Sequence, residues 1–194
     1  MKNAFVLGIK LALYASAACL ALAVVNNFTA PEIAAHALKK EQTALRIIFP
    51  QAENFEKVEK ISFPQSSATI DSFYKVIQDG NVAGYAIKIT GPTYETSTLV
   101  AGFSPELQIA GVHILATSDS PGFGQKAADA NYRNSKGTTF YGQFAGVSAK
   151  ESLVLGDDYE AISGATITSR TMGALVSNAA EVVKIYVEGN GGER

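Results

Sequence analysis

Three features read along the chain predict an α+β fold. These are one long apolar run at the N-terminal end, two successive antiparallel strand pairs with turn residues between them, and one long amphipathic helix near the C-terminal end. The expected arrangement is a single N-terminal transmembrane helix followed by an extracytoplasmic domain with an antiparallel sheet and flanking helices. The chain has 194 residues, 47% apolar and 18% charged, which is one domain's worth of material plus an anchor. Sixteen basic and 18 acidic residues give a net charge of −2, so there is no electrostatic footprint for nucleic acid. Cys19 is the only cysteine, which excludes an internal disulfide, a cysteine-ligated iron–sulfur cluster, a zinc knuckle and a CxxCH haem site. With only His36 and His113, a multi-histidine metal site is not expected.

From Ala4 to Val25 the sequence is predominantly apolar, and Lys10 is its one charged residue. About 22 helical residues rise roughly 33 Å, enough to cross a hydrocarbon core of about 30 Å. Lys10 lies near the leading end, where its stem can carry the ammonium back to the interface. Lys2 and Lys10 are followed by no basic residue until Lys39, so the positive-inside rule places the N-terminus in the cytoplasm and the rest outside. A cleaved signal peptide is the competing interpretation, because Ala21-Leu22-Ala23 resembles a cleavage site. Apolar residues continue through Val24 and Val25 without a polar stretch, which favours a retained anchor. A lipid attachment through Cys19 is disfavoured by Ser16, where an aliphatic residue is wanted.

The expected domains are residues 1–27 as cytoplasmic stub and anchor, 28–70 as linker helix and loop, and 71–190 as the folded domain. Pro31 to Ile48 is predicted as a helix leaving the membrane and ending before Pro50. Residues 50–70 are predicted as a short helix and loop. Phe73–Ile77 and Val82–Thr90 flank Gln78-Asp79-Gly80-Asn81, a hairpin turn signal, and Gly91-Pro92 breaks the second strand. Leu99–Phe103 and Gln108–Thr117 form another pair around Ser104-Pro105-Glu106. Asp119–Gly146 reads as a functional loop with short helical pieces, and Leu153–Leu155 as a last strand. In Thr168–Val187, residues Met172, Leu175, Val176, Ala179, Val182, Val183, Tyr186 and Val187 share one face, and Gly189 ends the helix.

The segment from Glu160 to Ser169, EAISGATITS, lies between that last strand and the last helix. Ser163, Thr166, Thr168 and Ser169 cluster around Gly164 and Ala165 at a helix N-terminus. Free amides there favour an anion, and small residues let a bulky group approach the backbone. Ordinary helix capping by hydroxyls explains the same cluster without any ligand.

Ser163-Gly164-Ala165-Thr166 resembles the flavinylation motif of the FMN-binding domain family. Two further segments match in order. Ile89-Thr90-Gly91-Pro92-Thr93-Tyr94 is similar to the family's first flavin-side loop, and Ser118-Asp119-Ser120-Pro121-Gly122-Phe123-Gly124-Gln125-Lys126 to its E-T-P-G-L-G loop. With the anchor, the chain resembles the G subunits of Rnf electron-transport complexes. The resemblance implies FMN joined to Thr166 by a phosphoester, with Ser163, Gly164, Ala165, Thr168, Ser169, Thr93, Tyr94, Asp119, Ser120, Gly122, Phe123, Gly124 and Lys126 as candidate cofactor contacts. It also implies recognition of Glu160 by a separate Mg²⁺-dependent flavin transferase that uses FAD as donor. Glu160 stands where members usually have Asp, Asp119 for Glu, Ser120 for Thr and Phe123 for Leu. The bland alternatives are a core aromatic for Phe123, turn chemistry for Asp119 and a solvated lysine for Lys126.

The implied role is an electron relay in an ion-translocating ferredoxin:NAD⁺ oxidoreductase, with the other subunits, the transferase and membrane lipid as partners. The C-type flavoprotein component of a Na⁺-translocating NADH:quinone reductase, which shares domain and motif, is the nearest rival. A membrane-anchored assembly module with no redox role is the alternative from another class.

Overall fold

The computed structural model describes residues 2–59 and 67–190. The chain divides into two compact units, Met1–Lys40 and Glu41–Arg194. The first is helical and belongs to α1, which spans Lys2–Ile48. Its apolar side chains, Leu13, Leu20 and Leu22 among them, are exposed, and the helix is long and apolar enough to cross a membrane by length and composition.

The sequence predicts a separate helix starting at Pro31, but α1 runs through that residue without a break. Proline removes one N–H from the ladder and crowds the carbonyl four residues back, at a cost of about 3 kcal/mol. A helix of 47 residues keeps enough remaining bonds to absorb that loss. The predicted end before Pro50 is observed: Phe49 N–H closes on the Leu45 carbonyl at 2.9 Å, and α1 stops at Ile48.

In the second unit, β1 (Asn54–Lys57), β2 (Thr69–Gln78), β3 (Asn81–Pro92), β4 (Thr96–Phe103) and β5 (Ile109–Thr117) form one antiparallel sheet in the order β1-β2-β3-β4-β5. The β2–β3 hairpin turns at Asp79 and Gly80, both with positive φ, as an Asp-Gly turn demands. β1 lies where the sequence predicts helix or loop. Its four residues carry one aromatic, Phe55, and are otherwise polar, so no alternating pattern marks it. The predicted strand at Leu153–Leu155 is also absent; Leu155 makes only an isolated bridge to Tyr159. Those residues lie in the loop that runs along α2 (Thr166–Asn190), where Leu153 N–H bonds the Ser177 hydroxyl.

The sheet is covered on both faces. Ile87, Ile89, Leu99, Ala101 and Phe103 point to the larger core, which α2 fills with Met172, Leu175, Val176, Ala179 and Val183. Ala86 and Val100 point the other way and meet Ala44 and Leu45 from the end of α1. The period-two alternation along β3 and β4 is what allocates side chains to the two cores. Gly102 makes room on the second face: a Cβ there would sit 2.4 Å from Ile48 and 2.6 Å from Phe49. The loop after β5 holds two short 3₁₀ turns, Gly124–Ala128 and Tyr141–Phe144, consistent with the predicted loop with helical pieces.

Candidate functional site

α2 begins at Thr166, two residues before the predicted start. The Ser169 N–H closes the first intrahelical bond on the Ala165 carbonyl at 2.9 Å, so Ala165 is the residue that flanks the helix. It carries no hydroxyl. The Ser169 hydroxyl is buried and satisfied inside the turn, donating to the Ala165 carbonyl and accepting from Ile162 N–H, each at 2.9 Å. The Thr168 hydroxyl is also committed, at 2.7 Å from Asp119 Oδ2. Simple capping therefore does not account for the cluster. Thr166 is exposed, and its hydroxyl makes no hydrogen bond among the described residues. The amides of Thr166, Ile167 and Thr168 head the helix without intrahelical acceptors.

An open cleft of about 490 Å³ lies over this helix start. Its floor is Gly164 to Thr168, and its other wall is Tyr94, Ser120, Phe123 and Gly124. Three segments far apart in sequence thus converge, as the three matched loops imply. Tyr94, Phe123 and Ile167 are 61%, 55% and 59% exposed, so the cleft presents apolar surface to solvent. Phe123 is a wall of the cleft and not a core aromatic. Gly164 has φ +79°, and a Cβ there would meet the Phe123 ring at 3.0 Å, so glycine is needed both for the turn and for the ring.

Asp119 fixes this geometry from behind. It is fully buried, and both oxygens are used. Oδ1 accepts from the Thr93 hydroxyl at 2.6 Å and from Glu95 N–H at 2.8 Å; Oδ2 accepts from the Thr168 hydroxyl and, at 3.4 Å, from Tyr94 N–H. Burial alone would raise the carboxyl's pKa, but these donors outweigh it and hold it below the usual carboxylate value. One side chain therefore ties the Tyr94 loop, the Phe123 loop and the first turn of α2. Gly124 is packed against this knot, where a Cβ would lie 2.6 Å from Asp119 and 2.7 Å from the Thr168 hydroxyl.

The remaining candidates fall elsewhere. Thr93 and Ser169 are buried behind the cleft wall. Ser163 and Gly122 are exposed beside the cleft but do not line it. Lys126 lies over the Tyr132 ring, 5.5 Å from its centroid. Glu160 accepts from the Ser135 hydroxyl at 2.8 Å on each oxygen and lies 3.8 Å from Lys136, while Gln143 brackets its backbone. Ile167 also lines the cleft, although no sequence motif singles it out for that role. The one available signal is its place between Thr166 and Thr168, off the apolar face of α2.

Comparison with known proteins bears on the same segments. The FMN-binding domain family matches residues 93–181, which include the Tyr94, Phe123 and Thr166 segments. The G subunit of the Na⁺-translocating ferredoxin:NAD⁺ oxidoreductase complex of Acetobacterium woodii is 30% identical over 93% of this chain and 92% of its own. The G subunit of the ion-translocating oxidoreductase complex of Methanosarcina acetivorans is 27% identical over 75% of this chain and 76% of its own. That of Haemophilus influenzae is 30% identical over 41% of this chain and 33% of its own. An FMN-binding domain across the cleft, together with end-to-end similarity to the first of these relatives, establishes that this chain belongs to the G-subunit family of ion-translocating oxidoreductase complexes.

Proposed function

We propose that Thr166 carries FMN through a phosphoester, and that the chain relays electrons within a complex that couples transfer between ferredoxin and NAD⁺ to ion movement. The observation that carries this is Thr166 itself: an exposed hydroxyl free of hydrogen bonds among the described residues, at the head of a 25-residue helix, on the floor of an apolar-walled cleft. The residues present fit the group. The first-turn amides of Thr166, Ile167 and Thr168 suit a phosphate. Tyr94, Phe123 and Ile167 suit an aromatic ring system, and the roughly 490 Å³ volume is in the range of cofactor sites. Bound FMN supplies one- and two-electron exchange at a potential set by nearby charge and hydrogen bonds.

The chain's own part is to present the hydroxyl and hold the walls. A threonine hydroxyl is a weak nucleophile without an adjacent base or metal. His113 sits on β5 with its ring 5.8 Å from that of Tyr141, and burial lowers its pKa. No imidazole lines the cleft among the described residues, so attachment falls to a separate transferase, with Glu160 as part of what that enzyme reads. Lys2 and Lys10 at the leading end of α1 favour a cytoplasmic N-terminus and an extracytoplasmic domain.

The test is denaturing electrophoresis and intact mass of the full chain co-expressed with the flavin transferase. Flavin fluorescence in the band, and its complete loss in Thr166→Ala, is the expected outcome. A non-fluorescent native band, or fluorescence that survives in the variant, overturns the proposal.

A further inference from the structure

On the same exposed stripe of α2 as Thr166, one turn further along, is Arg170. Residues four apart on a helix have Cβ atoms about 5–6 Å apart. Helical side chains lean toward the N-terminus, so an arginine at this position has the first turn of α2 within its reach. Arg170 has no ion pair among the described residues. It lines a second open cleft of about 440 Å³, beside Leu153 and Tyr159.

Two features make this cation conspicuous. α2 has no acidic residue in its first turn, and Arg170, at the start of the second turn, is its first charged residue. The main cleft also lacks positive charge: none of its lining residues is a lysine, arginine or histidine. The other basic side chains of this region are engaged, Lys126 over Tyr132 and Lys136 near Glu160. Beneath the floor lies the ionised Asp119, which opposes any anion placed above it.

We propose that Arg170 is the counter-charge of the phosphate ester on Thr166, a positioning residue that holds the phosphate at the head of α2. The inference rests on the covalent attachment proposed above. An arginine suits the role because its planar fork can meet two phosphate oxygens at once, and a lysine there would keep the charge and with it most of the effect. Being exposed, Arg170 is also a position where substitution leaves the fold intact.

The experiment uses the full chain, co-expressed with the transferase and purified in a phosphorus-free detergent. It follows the phosphorus-31 resonance of the ester from about 20 mM to about 500 mM NaCl, a range over which screening of an exposed pair grows several-fold. The native resonance is expected to move with salt as the pair is screened. In Arg170→Gln the low-salt resonance is displaced to near the native high-salt position and responds little to salt. Arg170→Lys restores most of the native response. Superimposable titrations for native and Arg170→Gln protein overturn the inference and leave the attachment standing. Loss of flavin loading in Arg170→Gln that Arg170→Lys restores supports it; loss in both variants overturns it, since the charge alone should suffice. Absence of any ester resonance in the native chain, with no flavin by intact mass, overturns the attachment itself and this inference with it.

Discussion

Glu41 and Asp119 are carboxylates withdrawn from solvent in different parts of the second unit, and the protein compensates them by different means. Glu41, near the end of α1, meets a cation: Lys88 Nζ lies 3.0 Å from Oε2. Its other oxygen accepts from the hydroxyls of Ser72 and, at 2.8 Å, Tyr74. Burial and the bond to Glu41 push the Tyr74 phenol up to about 12, so it remains a donor at any working pH. Asp119 has no cation within ion-pair distance among the described residues and is held by two hydroxyls and two backbone amides. The first arrangement joins one helix end to one sheet face, and Lys88 retains partial access to water. The second joins three separate loops with rigid, short-range donors. A cluster that must set the shape of a cleft relies on directional bonds, while one that only seats a helix tolerates a flexible ammonium.

The sharpest way to break this contrast is Asp119→Ala. It strands four donors in a buried site, and at about 1–3 kcal/mol for each unsatisfied group, less what local relaxation recovers, the expected loss is about 4 kcal/mol. Urea unfolding of the full chain in detergent measures it, and flavin loading should fall at least several-fold in parallel. A loss under about 1 kcal/mol would mean that the loops are held by something else. Glu41→Gln should cost less, about 1–2 kcal/mol, because the amide oxygen still accepts from Ser72 and Tyr74 while Lys88 turns to solvent. Loading should be unchanged, and a fall equal to that of Asp119→Ala would erase the distinction between the clusters.

The smallest effect is in the pH dependence. The folded-state pKa of Asp119 is depressed, so its contribution is fully present above the unfolded value, near 3.9, and is lost as pH falls through the lower folded value. Asp119→Asn should therefore flatten the acid limb of the stability profile below about pH 4. An unchanged acid limb would show that Asp119 titrates alike in the folded and unfolded chain.

Much of this architecture is legible in the residues because it rests on local rules. The Asp79-Gly80 turn, the apolar stripe of α2 and the apolar run before Asn26 each carry their own signal. What escapes depends on neighbours that no local window contains. β1 is a four-residue polar edge strand, recognisable only by its pairing with β2. Leu153–Leu155 has strand-like residues but is held by the Ser177 hydroxyl instead of a ladder. Asp119 beside Ser-Pro-Gly looks like turn chemistry or a ligand contact, and only the convergence of Thr93 and Thr168 on it reveals a buried knot. Ile167 counts as a cleft residue only once the helix start is fixed at Thr166, which turns it outward.

Because each strand pairs with its neighbour in sequence, the sheet can grow hairpin by hairpin, by short-range closures that are fast to form. Thr166, the proposed acceptor, is different: its surroundings are completed when Thr168 reaches back 49 positions to Asp119. By its long sequence separation, this contact is expected to close after the hairpins. An enzyme that reads its finished shape would act only on chains whose final helix has already docked, so cofactor attachment would double as a checkpoint on completed folding.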